Sequence, residues 1–479
     1  MKKGRDAGKT LAGLLHVVFI VLPMALGIIG YYVLEKEPFL NSAFMSLNYY
    51  TLNNQDVPAN LCQEIARWMA PMVTASSIML LFRSMRRKLH NIGAFLGGGS
   101  VAVYGNGEEK EKLLLQLGRR GISGEGDFVK ADRYIFAGEE NENIEKYSSF
   151  RSRIGNRPVH LSSKNLFSLC AQDNVYLFNA EETAARIYWK ERSLYQLGRE
   201  KGFSLKVCIL GFSELGENLL VYGLLDNIFR RDQRIEYHVF GQSEEFQAVY
   251  HELGNISDPV YFHRVPWYER LDVISQADRV IACETNVDTI QGILRAVPAV
   301  RIDVMTCEEE ALSLFADSGR LDYFDWKEKA LRIDDVIREN LLRNAKKINL
   351  HYARLYGAED MEETQENAEK EWAKLDAFTR YSNISSADYH DIQRMMLAAE
   401  GISPEFLFQE EGEETLRRYA ELEHIRWTRY HYLNNWRKGE GKKDKVNRTH
   451  PLLVPNEELS EEDKQKDMDN LKVLFGLKM

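Results

Sequence analysis

The chain has 479 residues, a formal net charge of −10, 28% charged side chains and 11% aromatic ones. That acidity excludes a general grip on a phosphate backbone, so no nucleic acid is expected as a partner, and the aromatic content excludes a largely disordered chain. The five cysteines, Cys62, Cys170, Cys208, Cys283 and Cys307, form no close pair, which argues against a disulfide framework or a thiolate metal site and suits a reducing compartment.

Residues 11–34 read LAGLLHVVFIVLPMALGIIGYYVL, 24 residues without a charge. A hydrocarbon core of about 30 Å is crossed by about 20 helical residues, so a first transmembrane helix is expected there. Residues 61–82 predict a second span, of which residues 68–82 are free of charge, with Glu64 and Arg67 near its outer end. Lys2, Lys3, Arg5 and Lys9 precede the first span, and Arg83, Arg86, Arg87 and Lys88 follow the second; Glu35, Glu37 and Asp56 mark the loop between them. Basic flanks stay inside, which places both termini of a multi-pass membrane protein in the cytoplasm, with the lipid bilayer as a partner. A cleaved signal peptide is disfavoured, because the apolar run is too long and no A-x-A-like site follows it.

Within the loop, Leu40, Phe44 and Leu47 are spaced i, i+4 and i+7, and Asn41 offers a cap, which predicts a helix of about two turns. Tyr50, Thr51, Asn53 and Asn54 follow it. A re-entrant helix and a polar stretch between two spans is how two-span channels build a pore about a symmetry axis. Those four residues and Glu64 are therefore the candidate pore residues, and inorganic ions the expected cargo. The competing reading is an amphipathic loop without a pore. No TVGYG-like string occurs, so a potassium filter is not expected.

A GGGS segment at 97–100 separates this region, 1–96, from the body. VAVYGNG then leads from a β-branched strand into the helix EEKEKLLLQLGRRG, the strand, glycine turn and helix order of a mononucleotide-binding half. LKVCILGFSELGENLLVYGLL repeats that order. ADRYIFAGEEN at Ala131 and ADRVIACETN at Ala277 give the two units a second shared landmark, which predicts an internal duplication. The first copy is shortened: 26 residues separate Gly105 from Ala131, against 66 from Gly211 to Ala277. RIEYHVFG, PVYFH, ADRVIAC and AVRIDVM complete a doubly wound parallel sheet in the second copy. NVYLFN and the helix after it are expected to bridge the copies, and the acidic stretches 358–371 and 409–414 to be solvated. The expected divisions are 97–200 for a degenerate first Rossmann unit with its bridge, 201–330 for the second, 331–413 for a helical linker region and 414–479 for a last compact unit.

At such turns glycines let the backbone approach a pyrophosphate, and the helix N-terminus supplies free N–H groups. In the first turn Gly105 and Gly107 are the candidates, but the third glycine is missing and Glu108 and Glu109 sit where phosphate charge arrives. In the second the candidates are Gly211, Ser213 and Gly216, with Glu214 and Glu217 nearby. RIEYHVF ends in Gly241, Gln242 and Ser243, with no acid for a ribose diol, which counts against NAD. Two readings stand for the second turn: a nucleotide site for NAD, ATP or a cyclic nucleotide, or a degenerate Rossmann unit used as a protein surface.

LGFSELGENLL, ADRVIAC and the downstream Asn286 resemble the nucleotide-binding domain of bacterial potassium-uptake regulators and of regulator-of-potassium-conductance (RCK) domains, over about 206–304 and more loosely over 101–138. The resemblance implies a cytoplasmic assembly of Rossmann units that converts ligand binding into movement of membrane helices. From Leu416 the chain runs LRRYAELEHIRWTRYHYLNNWRKGEGKKDKVNRTHPLLVPNEELSEEDKQKD, a helix, a basic glycine loop and a second capped helix, and this resembles the ryanodine-receptor (RyR) repeat domain. Bacterial proteins joining such a repeat to Rossmann units and spans are thought to be ligand-operated effectors, which implies a role in stress or phage-defence signalling. Glu423, Trp427 and Tyr430 fall at i, i+4 and i+7 on one helical face, and Arg426, Trp436 and His450 join them as candidates for a nucleotide pocket in which rings stack on a base. The competing reading makes the tryptophans core and His424 a satisfied buried histidine.

No G-x-x-x-x-G-K, G-x-S-x-G or H-E-x-x-H string occurs, so no catalytic or metal-ligating residue is assigned. The expected fold class is α/β: an N-terminal transmembrane helical hairpin, duplicated Rossmann-like parallel sheets and a small, mostly helical RyR-like domain. The leading functional expectation is a homo-oligomeric, tetrameric ligand-gated channel whose small ligand is a nucleotide. The alternatives are a membrane-anchored NAD-dependent enzyme and a non-conducting sensor or scaffold.

Overall fold

The computed structural model describes residues 20–51, 53, 57–164, 174–283, 287–297, 299–306, 319–355 and 361–476. It divides into two compact units, Met1–Gly99 and Ser100–Met479.

In the first unit residues 20–28 are helical and run on into a π-helical turn, Ile29–Leu34. Helix α1, Phe39–Asn48, forms where the Leu40, Phe44 and Leu47 spacing predicts it, and a 3-10 turn, Tyr49–Thr51, continues it. It starts ahead of the expected cap: Pro38 precedes it, and Asn41 donates to Glu37 at 2.9 Å instead of capping. Helix α2, Leu61–Leu96, is capped by Asn60, which accepts from the Gln63 N–H at 3.1 Å, and it ends at the predicted glycine hinge. Gly98 and Gly99 there have φ of +73° and +70°, which β-carbon-bearing residues resist.

Polarity in this unit is inverted. Ser42, Ser46, Gln63, Ala66 and Ala70 are buried, while Leu40, Phe44, Trp68 and Met72 are exposed. A Cβ on Gly27 would lie 2.6 Å from Ser46 Oγ, and one on Gly30 would lie 2.6 Å from Gln63 Cγ, so small residues set how closely the helices approach. The Tyr31 and Tyr49 hydroxyls meet at 2.8 Å in the same interior.

The two expected spans meet a limit here. Among the described residues no helix is long and apolar enough to cross a membrane. Residues 11–19 of the first stretch lie outside the described residues, and α2 carries Glu64 and Arg67 in its first two turns.

The second unit holds two parallel sheets, as the repeated strand, turn and helix order predicts. The first contains β1 (Val101–Tyr104), β2 (Gly121–Ser123), β3 (Arg133–Phe136), β4 (Val159–Ser162) and β5 (Val175–Phe178), in the order β2-β1-β3-β4-β5. Helices α3 (Glu108–Leu117) and α4 (Glu140–Ile154) belong to it, and α5 (Ala180–Glu191) follows β5. The second sheet contains β6 (Ser204–Leu210), β7 (Arg234–Phe240), β8 (Val260–His263), β9 (Arg279–Ala282), β10 (Ile302–Met305) and β11 (Leu321–Phe324), with helix α6 (Glu214–Asp226) after β6. Its order, β8-β7-β6-β9-β10-β11, is the Rossmann order 3-2-1-4-5-6. In the first sheet β3 follows β2 directly, so the shortened copy lacks the third strand. NVYLFN is a correction: it supplies β5, paired in parallel with β4, and is an edge strand of the first sheet.

The repeated Ala-Asp-Arg has a structural explanation. Asp132 accepts from the Ser100 N–H at 2.8 Å, and Asp278 accepts from the Lys206 N–H at 2.7 Å. Each aspartate thereby satisfies a backbone donor at the start of the strand beside its own.

Helices α7 (Arg343–Leu355), α8 (Gln365–Ala373), α9 (Ala377–Glu400), α10 (Glu413–Leu433) and α11 (Glu461–Gly476) complete the unit. Over 365–371 the acidic stretch forms the first part of α8, where Gln365 and Glu366 are exposed and Ala368 is buried. Helix α9 is a core element, burying Ile384, Tyr389, Ile392 and Met396 in the cluster that also holds Trp189, Leu219, Tyr419 and Phe475. Within it, Trp189 donates to the Leu219 carbonyl at 2.8 Å, and α5 lies against α6 at Gly223.

A Cβ at Gly223 would sit 3.0 Å from the Trp189 ring and 3.1 Å from that of Tyr237. Gly223→Val is expected to destabilise the second unit by about 1 to 3 kcal/mol, the usual cost of overpacking. Gly254→Ala, which meets nothing within 4 Å, is the control. Equal denaturation midpoints for both variants would refute this account of the α5–α6 contact.

Candidate functional site

The cleft of interest opens at the carboxyl ends of β6, β7 and β8, where open α/β sheets bind ligands. Gly211 follows β6 with φ +85°, and Gly241 follows β7 with φ +150°, its would-be Cβ 2.8 Å from the Phe212 backbone. The φ at Gly211 favours glycine, and at Gly241 a β-carbon has no room. Between them lies a cavity of about 570 Å³, lined also by Gln242, Arg264, Trp267 and Thr289. That volume is within the range of small-molecule pockets. Gln242 and Thr289 offer neutral hydrogen-bonding groups, Arg264 a guanidinium and Trp267 a ring. Arg264 is exposed and stands 3.3 Å from Glu244.

Of the expected residues Gly211, Ser213 and Gly216, only Gly211 lines this cleft. Gly216 serves packing, because a Cβ there would lie 2.5 Å from the Gly211 carbonyl oxygen. Ser213 stands at the N-cap of α6 in an extended conformation without a capping hydrogen bond. Arg264 and Trp267 were not among the sequence candidates. Their signal is the RVPW string just after β8, legible only once β8 is known to lie two strands from the glycine turn.

The other side of the α6 N-terminus is acidic. Glu214 is tied to Lys164 at 3.0 Å and accepts from Asn179 at 2.7 Å. Burial, and then Glu214, raise Glu217 above the usual carboxylate range. Glu181, at the start of α5, is pushed up to about 7 by burial, then by Glu214 and Glu109. Phosphate charge is unwelcome on that side, whereas the β7–β8 side of the cleft carries the cation Arg264 together with the carboxylate of Glu244.

The first glycine turn is filled by protein. A Cβ on Gly105 would collide with the Ala137 carbonyl, and Gly107, with φ +83°, caps α3. Glu108 pairs with Lys327 at 2.9 Å, and Lys112 with Asp325 at 3.1 Å. This turn therefore packs against the segment after β11.

On α10 the expected ligand face divides. Glu423 takes both Arg426 nitrogens at 2.9 Å, and Arg426, only 1% exposed, also donates to Ser385 at 3.0 Å. The Tyr430 hydroxyl donates to the Phe378 carbonyl at 2.6 Å, and burial raises its pKa. Those three residues are committed to the contact with α9, a correction to the expected open pocket. Trp427, Trp436 and His450 do come together: Trp427 meets His450 edge-on at 5.0 Å, Phe378 stacks on Trp436 at 5.2 Å, and His431 lies within 6 Å of all three. Lys443 Nζ lies 5.0 Å over Trp436, so the chain's own ammonium covers these rings. Burial, and then Lys443 and His424, lower His450 to about 4, so it is neutral at physiological pH.

Of the expected pore residues, Tyr50 donates to the Ile20 carbonyl at 2.6 Å, and its own carbonyl accepts from Thr74 at 3.0 Å. Thr51 donates to the Asn48 carbonyl, and so does the Asn53 backbone N–H. Asn54 lies outside the described residues, as does Asn286. The Glu64 carboxylate accepts from the Trp68 indole at 3.1 Å.

Helix α10 is also fastened to the second sheet. Arg429 and Asp258, both buried, pair at 2.8 Å, and Arg429 donates to the Leu224 carbonyl of α6 at 2.9 Å. Asn435 donates to the Val249 carbonyl at 2.6 Å, and Arg231 pairs with Glu457.

The model of the RyR domain family matches residues 405–477, which begins nine residues ahead of the expected 414 and takes in the 3-10 turn Glu410–Gly412 before α10. No curated protein matches the chain.

Two outcomes test this geometry. Arg429→Met leaves Asp258 charged, buried and without its cation, and should cost about 3 to 5 kcal/mol in chemical denaturation. A loss below about 1 kcal/mol would show that the pair does not hold α10 in place. Glu181 is raised in the folded state, so its contribution is whole below the ordinary value of 4.5 and is lost as pH rises through about 7. Glu181→Gln should therefore melt at a higher temperature than the parent at pH 8 and show little gain at pH 5; a gain independent of pH would refute the assignment.

Proposed function

We propose that the protein is a ligand-gated ion channel. The N-terminal unit supplies the pore of a homo-oligomer, a tetramer in a bacterial inner membrane, with both termini in the cytoplasm. The observation that carries this reading is the inverted polarity of that unit, which buries serine, glutamine, glycine and alanine and turns Leu40, Phe44, Leu47, Trp68 and Met72 outward. Water penalises such a surface, whereas lipid and neighbouring subunits accept it. The apolar residues 11–19 and the basic flanks after Phe82 support the same placement.

In this reading Tyr50, which bonds to the Ile20 carbonyl and to Thr74, lines the ion path with Thr51 and Asn53. The second Rossmann unit binds a nucleotide-type ligand in the cleft between Gly211 and Gly241, with the base against Trp267 and phosphate toward Arg264. Its RyR-matched region completes the regulatory part, as the chain order suggests for an effector in stress or phage-defence signalling. Gating follows from the ligand's different affinity for closed and open states.

Full-length protein in liposomes should release trapped ions when the right member of a panel of NAD, ATP and cyclic mono- and oligonucleotides is added. Trp267→Ala with Arg264→Glu should abolish the response. Saturable binding without flux for every ligand would sink the channel and favour a non-conducting sensor, and NAD turnover would favour the anchored enzyme.

A further inference from the structure

A further cavity lies at the amino-terminal end of the first sheet. It measures about 1420 Å³ and is walled by the amino-terminal ends of β3 and β5, by residues 337–351 and 363–369, and by the end of α11. Ligand sites of α/β sheets sit at the carboxyl ends, so neither the Rossmann pattern nor the RyR match assigns this place.

Its charge balance is the first argument. Six cationic side chains and three carboxylates line it, in a chain whose net charge is −10. The carboxylates are already matched: Lys346, itself buried, holds Glu339 at 2.7 Å and Glu369 at 2.8 Å, and Glu363 pairs with Arg354. Three of the cations are not. Among the described residues Arg133, Arg343 and Lys472 have no carboxylate within ion-pair distance. Arg343 donates only to the neutral Asn340 amide, at 3.0 Å. Arg133 donates to His160 Nε2 at 3.0 Å, and burial followed by Arg133 itself lowers His160 to about 3, so this partner is neutral and the guanidinium charge stays uncompensated.

The second argument is the shape of the wall. Tyr176 lies parallel to the His160 ring, 5.1 Å away, and lines the cavity beside Arg133. It offers a planar base a surface next to a cation. His351 Nε2 is buried in the same wall without a hydrogen-bond partner, which leaves one polar atom for a ligand.

We infer that this cavity binds a nucleotide carrying several phosphates, with the phosphates on Arg133, Arg343 and Lys472 and the base on Tyr176. Its volume exceeds the roughly 300 to 1,000 Å³ of ordinary small-molecule pockets, which suits a dinucleotide-sized molecule at least as well as a mononucleotide. Such a ligand would tie the first Rossmann unit, α7 and the end of the RyR-matched region together. The inference does not depend on the cleft at Gly211.

The test is hydrogen exchange and calorimetry on the full chain with ATP and with inorganic tripolyphosphate. Both probes should slow exchange in residues 337–350 and 472–476. Arg343→Glu with Lys472→Glu, two side chains outside the core, should weaken both probes about tenfold or more, the scale of one lost charge-assisted hydrogen bond. Tyr176→Ala should weaken ATP and spare tripolyphosphate. Protection confined to residues 241–267 would overturn this site while leaving the Rossmann cleft standing. Absence of saturable binding by either probe, or unchanged affinity in the double variant, would also overturn it. Exchange in the unmodified protein keeps the test decisive if the double variant fails to fold.

Discussion

The buried pair of Arg429 and Asp258 fixes how the last third of the chain meets the second Rossmann sheet. A charge in the interior is tolerated only with a partner and a full set of hydrogen bonds. Asp258 meets that demand by accepting also from the Ile235 N–H at 2.9 Å and from Gln233 at 2.8 Å. Arg429 meets part of it through the Leu224 carbonyl. Sliding α10 by one turn would strand both ions, so the docking is specified by electrostatics as well as by apolar contact. The same helix carries the Glu423–Arg426 pair, directed toward α9 through Ser385 and Ser386. Two arginines, three residues apart, thus bind α10 to two different neighbours.

Much of the fold was legible in the sequence because parallel strands buried on both faces must be continuous apolar runs. VAVY, KVCIL, YHVF and RVIA could be little else, and the twin Ala-Asp-Arg marked equivalent strands before any pairing was known. The edge strands were harder. GIS in β2 is three residues long and carries no run to detect, and the apolar pattern of NVYLF says that it is a strand without saying which sheet it joins. Helix α9 was obscured by acidic neighbours, although its buried positions follow helical spacing from Ile384 to Leu397.

The candidate sites were legible in proportion to how local they are. Gly211 and Gly241 are conformational requirements, and glycine advertises those directly. Arg264 and Trp267 stand about fifty residues beyond the glycine turn and reach the cleft only because β7 and β8 fall in order beside β6. On α10 the i, i+4, i+7 spacing put Glu423, Trp427 and Tyr430 on one expected face, which the structure divides: Glu423 and Tyr430 meet α9, and Trp427 meets His450. Spacing alone could not reveal that α9 already occupies most of that side, through Phe378, Ser385 and Ser386. A helical face predicts what can be contacted, and the identity of the contacting element is a tertiary fact.

Helix α6 joins these features physically. Its first turn faces Gly211, where Gly216 leaves no space for a β-carbon, and its last turn carries the Leu224 carbonyl that Arg429 grips. Thirteen residues make it roughly 20 Å long, a rigid rod with the cleft at one end and the RyR-matched helix at the other. Trp189 and Tyr237 enclose Gly223 between those ends, so α6 cannot tilt without moving α5 or β7. A ligand that displaced the Gly211 turn would therefore act on α10 through packed backbone, with no need for a flexible relay. In the proposed channel this makes the state of the cleft and the seating of α10 a single variable, which a ligand shifts by binding one seating more tightly than the other.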